Sequence, residues 1–274
     1  MRGAASCAIA VMAKAPQPGR SKTRLVPALT AEQAARLSAA FLRDVTENIG
    51  EAATKFSIAG YIAYAPAGLE NLFAGHLAAG TSLVLADGLP DMPGNVLGFG
   101  RCLLHAIDSL LARGHGSACV LNSDSPTLPT ALLEHTARML AAPGDRAVIG
   151  PADDGGYYLL GMKKSHAHLF ADIAWSTDSV ARETAARAAE IGLELITLPR
   201  WYDVDDATSL ARLVDNLQTA LPCYDERTDA IHRFASNEFV TDPSLALNPY
   251  GAPATRACLE AMGLLTPQHL AKRG

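Results

Sequence analysis

Along this chain, short apolar runs take turns with stretches in which apolar residues recur every three or four positions. Residues 7–13 are an unbroken apolar run ending in a loop punctuated by Pro and Gly, residues 14–24, which predicts a buried strand feeding a loop. Thr30 and Gln33 have the spacing of a capping box, and Ala34, Leu37, Phe41, Leu42 and Val45 follow at helical period, so a helix starts there. Residues 56–65, 82–86, 118–121, 147–150, 157–162 and 193–198 read as strands, and 96–111, 130–141, 179–191 and 206–217 as helices. This alternation predicts an α/β fold, a mostly parallel sheet with helices on both faces, with ligand sites at the carboxyl ends of its strands. Beyond residue 220 the pattern changes. Prolines 222, 243, 249, 253 and 267 break the chain into short segments, and only 254–265 looks helical. Residues 1–220 therefore read as one sheet domain and 221–274 as an extension packed on it.

Composition narrows the function classes. A length of 274 residues with 49% hydrophobic and 19% charged residues is that of an ordinary globular protein with a sizeable core. The net charge of -5 argues against a nucleic-acid partner, so any anion site has to be local. Five cysteines, at 7, 102, 119, 223 and 258, form an odd set without a CxxC pair, and we expect them reduced in a cytoplasmic protein. The first thirteen residues weakly imitate a signal peptide, but a buried first strand is the better reading, and no window offers the roughly 20 apolar residues of a membrane span.

Four places can carry chemistry. Residues 14–24 hold four cations, Lys14, Arg20, Lys22 and Arg24, in an acidic chain, with Gly19 among them. Such a loop at a strand end suits phosphates, although a solvated basic loop has the same composition. It is not a Walker A loop, because Ser21 and Pro16 stand where that motif needs glycines. Asp124, in Asn-Ser-Asp-Ser-Pro after the 118–121 run, can ligate a hard divalent cation or simply bond the backbone of its own turn. In Trp201-Tyr-Asp-Val-Asp-Asp206, Asp203 and Asp205 share a face if the segment is extended, and Asp206 can cap the next helix. Acids this close repel unless a cation is near, which favours a metal contribution from Asp205 and, less strongly, from Asp203. The Asp154-Gly155-Gly156 stretch between two strands is either a tight turn or a backbone approach to a ligand, with Asp154 placed to accept from a hydroxyl. His166 and His168 lack a third metal ligand nearby in sequence.

Taken in order, KAPQPGRSKTRL at 14–25, NSDSPTLP at 122–129, GPADDGGYYLLGM at 150–162, WST at 175–177 and YDVDDATSL at 202–210 resemble one family. It is the DUF2064 group of GT-A-fold, glycosyltransferase-like proteins, related to the nucleotidyltransferases of cofactor biosynthesis. The resemblance implies a nucleotide-diphospho-sugar transferase fold in which Lys14, Arg20, Lys22 and Arg24 hold nucleotide phosphates. It matches Asp124 to a metal-binding aspartate, Asp205 to a second acidic position, and Asp154, Gly155 and Gly156 to a pocket-forming turn. One segment departs from the pattern: relatives carry Gly-Asp-Leu-Gly and then Arg where this chain has LPDMPGNVLGFG at 89–100.

The expected activity is that of a transferase using an activated nucleotide with Mg²⁺ or Mn²⁺ on Asp124 and Asp205, and Asp154 as base. Glycosyl transfer from a nucleotide sugar to a small acceptor leads; nucleotidyl transfer with release of pyrophosphate is the alternative. A non-catalytic nucleotide-binding protein is the alternative of another class. The partners expected are small molecules, and homo-oligomerisation stays open.

Overall fold

The computed structural model describes residues 6–26, 28–89, 91–219 and 247–266. Its centre is a seven-stranded sheet in the order β3-β2-β1-β4-β6-β5-β7. The strands are β1 (Cys7–Ala13), β2 (Ile58–Tyr64), β3 (Ser82–Leu85), β4 (Ser117–Asn122), β5 (Arg146–Pro151), β6 (Tyr157–Met162) and β7 (Glu194–Thr197). All neighbouring pairs are parallel except those of β6, which runs against both β4 and β5. β6 can reverse because the tight turn at 152–156 returns the chain beside β5, whereas each parallel neighbour needs a long crossover.

Helices α1 (Ala31–Ala52), α2 (Phe99–Ala112), α3 (Thr130–Ala141) and α4 (Val180–Glu190) connect successive strands, and α5 (Ala207–Thr219) follows β7. A last helix, α6 (Pro253–Ala261), packs on α1. Thr30 and Gln33 exchange both capping-box bonds at the start of α1. The helix expected from Val96 begins at Phe99 instead, because Val96 is engaged in a bridge with Ala171.

Strand alternation divides the core in two. On β1, Cys7, Ile9, Val11 and Ala13 face one cluster with α1, α3, α5 and α6, while Ala8 and Ala10 face the other with α2 and α4. The second face is lined by small residues, Ala8, Ala10, Ala63, Ala118 and Ala147. They leave room for the larger Leu103, Leu104, Ile107 and Leu110 of α2, each buried side chain of that size contributing about 1.5–3 kcal/mol. No helix among the described residues is long and apolar enough to cross a membrane.

Because β1, β2, β3, β4, β5 and β7 share a direction, their carboxyl ends lie on one edge of the sheet. The loop after β1, the 122–127 turn after β4, the 152–156 turn after β5 and the segment 201–206 all gather there.

Candidate active site

The segment 201–206 crosses that edge as extended chain. Trp201 bridges Ala152 in parallel, and its N–H and carbonyl bond Pro151 and Asp153. Three residues on, Val204 N–H donates to the Asp124 carbonyl at 2.9 Å. Ser125 Oγ donates to the Tyr202 carbonyl at 2.9 Å, and the Thr127 and Tyr202 hydroxyls lie 3.0 Å apart. Tyr202 and Val204 are buried, and Asp203 and Asp205 alternate with them toward solvent, as period two requires. Asp206 then caps α5, accepting from Ser209 N–H at 2.8 Å.

The loop after β1 folds on itself. Ser21 Oγ donates to Ala15 O and accepts from Gln17 N–H, and Gly19 turns the chain at φ 71°. Lys22 follows in the left-handed region, φ 51° and ψ 41°, which is costly for a residue with a Cβ. That conformation sends its side chain inward over the Phe41 ring, with Nζ 5.5 Å from the centroid. The ammonium donates to the Val204 carbonyl at 2.6 Å and pairs with Asp124 Oδ1 at 2.7 Å and Asp205 Oδ1 at 2.9 Å. The Lys22 side chain is 6% exposed, the two carboxylates 29% and 40%. Burial by itself would lower the lysine's pKa, but the charges and hydrogen bonds of Asp124 and Asp205 outweigh it and hold the ammonium above its ordinary value.

A pocket of about 410 Å³ opens beside this pair, a volume in the range of small-ligand sites. Lys14, Arg20, Lys22, Arg24, Asp124 and Asp205 all line it, so the basic loop and the acids meet in one place. Lys14, Arg20 and Arg24 are exposed there, while Lys22 is taken up by the carboxylates. Tyr64, Ala86, Phe99 and Cys102 line the pocket as well.

Asp154, Gly155 and Gly156 do not line this pocket. Asp154 Oδ1 accepts from Gly156 N–H at 2.8 Å, and Gly155, at φ 89°, lies so close to the Asp178 backbone that a Cβ there would run into its carbonyl. This turn borders a second cavity of about 280 Å³, shared with Asp153, Asp178, Arg182 and Arg200. Asp203, between the buried Tyr202 and Val204, lines neither of these two cavities. Burial, then the charges of Asp154 and Asp205, with Asp124 behind them, push its carboxyl up to about 7, which suits proton transfer near neutral pH.

Whether a divalent cation suits this place can be judged from the cation already in it. Two carboxylate oxygens and a carbonyl surround the Lys22 ammonium, an oxygen-only set of the kind Mg²⁺ or Mn²⁺ prefers. Among the described residues no group of three or more His, Cys, Asp or Glu could hold a metal by itself, so an ion on Asp124 and Asp205 would need further ligands from phosphate or water.

Several contributors carry no mark in the sequence. Val204 acts through a carbonyl, Phe41 sits on an ordinary helical stripe, and Arg182 and Arg200 are isolated basic residues. Trp175, in the WST segment, packs against the start of α2: a Cβ at Gly100 would lie 2.7 Å from its ring, and Phe99 meets it edge-on at 5.9 Å.

The seven-stranded, mostly parallel sheet with its helices has the nucleotide-diphospho-sugar transferase fold of the GT-A type. A candidate nucleotide-diphospho-sugar transferase from Desulfovibrio desulfuricans G20 is 27% identical, covers 82% of this chain and 95% of its own, and superposes with a TM-score of 0.68. More distant are a CMP:2-keto-3-deoxy-manno-octonic acid synthetase complexed with CTP (12% identity, 76% of this chain, 96% of that chain, TM-score 0.45) and the Rv0371C protein of Mycobacterium tuberculosis H37Rv in complex with manganese (18%, 77%, 99%, 0.42). No curated protein matches. The resemblance read from the motifs is borne out: residues 48–177 match the model of the DUF2064 family, described as an uncharacterized protein conserved in bacteria.

Proposed function

We propose that this chain is a metal-dependent transferase acting on an activated nucleotide, and that it moves a sugar from a nucleotide sugar to a small acceptor. The observation that carries this reading is the meeting of Lys14, Arg20, Arg24, Asp124 and Asp205 in one pocket. In an acidic chain, exposed guanidinium and ammonium groups beside two carboxylates fit a phosphate chain and a divalent cation together.

Lys14, Arg20 and Arg24 hold the phosphates and keep the leaving group in line, and Gly19 supplies the turn that aims them. Asp124 and Asp205 hold Mg²⁺ or Mn²⁺, which when bound neutralises charge on the departing phosphate oxygens. Asp203 stands behind these two as a proton carrier. Asp154 takes the proton of the acceptor hydroxyl, oriented by the Gly156 N–H and by the closely packed Gly155. The second cavity supports sugar chemistry: carboxylates of Asp153, Asp154 and Asp178 accept, and guanidinium groups of Arg182 and Arg200 donate, as a ligand with several hydroxyls requires. A hydroxyl oxygen then attacks the sugar carbon, and the nucleoside diphosphate departs with the electrons of the bond it held.

The second reading is nucleotidyl transfer, favoured by three exposed cations that could follow a triphosphate. Incubation with Mg²⁺ or Mn²⁺, nucleotide sugars, nucleoside triphosphates and an acceptor panel separates the two. Nucleoside diphosphate released with acceptor consumption supports glycosyl transfer, whereas pyrophosphate supports nucleotidyl transfer. Binding without consumption of any donor makes the chain a nucleotide-binding protein.

A further inference from the structure

Lys22 is the one cation of its loop that does not face the pocket freely. Its ammonium has three oxygen partners at 2.6, 2.7 and 2.9 Å, and two of these belong to the carboxylates read above as metal ligands. An ammonium and a divalent cation compete for that seat: Nζ already holds one oxygen of each carboxylate, Oδ1 of Asp124 and Oδ1 of Asp205, and a metal taken onto those oxygens would be repelled by its charge. Three features fit a side chain that is held there but able to leave. The backbone is in a left-handed conformation that a non-glycine residue adopts at a cost. The loop around it is bonded mainly to itself, through Ser21, Gln17 and Ala15. Finally, Lys14, Arg20 and Arg24 line the same pocket, so phosphates held by them would offer the ammonium new anionic partners close by.

We infer that Lys22 is a tethered counter-ion: it occupies the cation seat between Asp124 and Asp205, keeps the two together against their mutual repulsion, and yields the seat to a divalent cation arriving with a nucleotide, its ammonium turning to the phosphates. This rests on the reading of Asp124 and Asp205 as metal ligands. It assigns Lys22 a positioning role and implies ordered loading, with metal alone bound poorly and metal with nucleotide bound well. A lysine that only braced the fold would give the opposite result on removal, a looser site with weaker metal binding.

The test is Mn²⁺ binding to the full chain without nucleotide, followed by the electron paramagnetic resonance signal of free Mn²⁺. Lys22→Met should bind Mn²⁺ about tenfold or more tightly than the wild type, because the competing charge is gone and two unpaired carboxylates remain. Lys22→Arg, which restores a cation, should bind as weakly as the wild type. Lys22→Gln, whose amide can still donate to the Val204 carbonyl, replaces the methionine variant if that does not fold. Thermal unfolding gives a second reading: Mn²⁺ should raise the melting temperature of the neutral variant more than that of the wild type. Equal or weaker Mn²⁺ binding by the neutral variants overturns the exchange. Adding Asp124→Asn separates the two ideas. If it abolishes Mn²⁺ binding while Lys22 substitution changes nothing, the metal seat stands and the exchange fails; if it leaves all Mn²⁺ binding unchanged, the metal seat fails.

Discussion

The two sides of the pocket are built differently. The acidic side is stitched into the sheet: Trp201 bonds Pro151 and Asp153, Val204 bonds Asp124, Ser125 bonds Tyr202, and Asp205 N–H bonds Ser209 Oγ. The basic loop instead closes on itself through Ser21, and its bonds to the acidic side run through Lys22. Carboxylates thus sit where the backbone of neighbouring segments fixes them, and cations sit on a segment bonded mainly to itself. A site for a phosphate chain gains from this division, because charge placement is set in advance on one side and phosphate geometry is accommodated on the other.

Substitutions can break that contrast, since changes on the acidic side should cost chemistry or stability and changes at the exposed cations of the loop should cost binding alone. The largest effect is expected from Asp124→Asn, which should lower turnover with Mg²⁺ by about 10³-fold, measured as kcat at saturating nucleotide. Next, Gly155→Ala should destabilise the fold by about 2–4 kcal/mol in denaturant unfolding, because the added methyl meets the Asp178 carbonyl and φ is 89°. Arg24→Ala should weaken nucleotide binding about tenfold by calorimetry with the melting temperature unchanged, because that side chain is exposed in the pocket. Ser125→Ala should cost about 1 kcal/mol by removing one stitch to Tyr202. The mildest effect concerns pH. The Asp203 carboxyl, held up to about 7 in the fold and near ~4 when unfolded, keeps its proton only in the native state between those values. Raising the pH through that window removes the proton and costs stability, while below it both states are protonated. Asp203→Asn should flatten the decline between pH 5 and pH 8 in chemical unfolding.

The strands and helices were legible because burial on both sheet faces leaves continuous apolar runs and the crossovers leave helical periodicity. The reversed direction of β6 was not, since apolar runs such as 157–162 look the same in either direction and only pairing tells them apart. Asp203 and Asp205 could be set on one side of an extended segment by period two. The partner of Lys22 could not be read, because it depends on a left-handed backbone residue and on a carbonyl 182 positions away. Composition marked the loop as basic but could not say which of its four cations is buried. The second cavity was invisible for a similar reason: Arg182 and Arg200 are single basic residues whose meeting with Asp154 is made by the sheet edge.

One contact lies away from the sheet edge that carries the pocket. Asp44, wholly buried on α1, accepts from the Ala254 N–H at 2.9 Å and the Thr255 N–H at 2.6 Å, closing the first turn of α6 from outside that helix. Leu259 of the same helix lies fully buried in the core that α1 shares. A chain cut after residue 219 would leave the Asp44 carboxylate without these two N–H partners and bare an oily flank of α1. Shortened versions that end there should therefore precipitate unless that flank is redrawn with polar side chains.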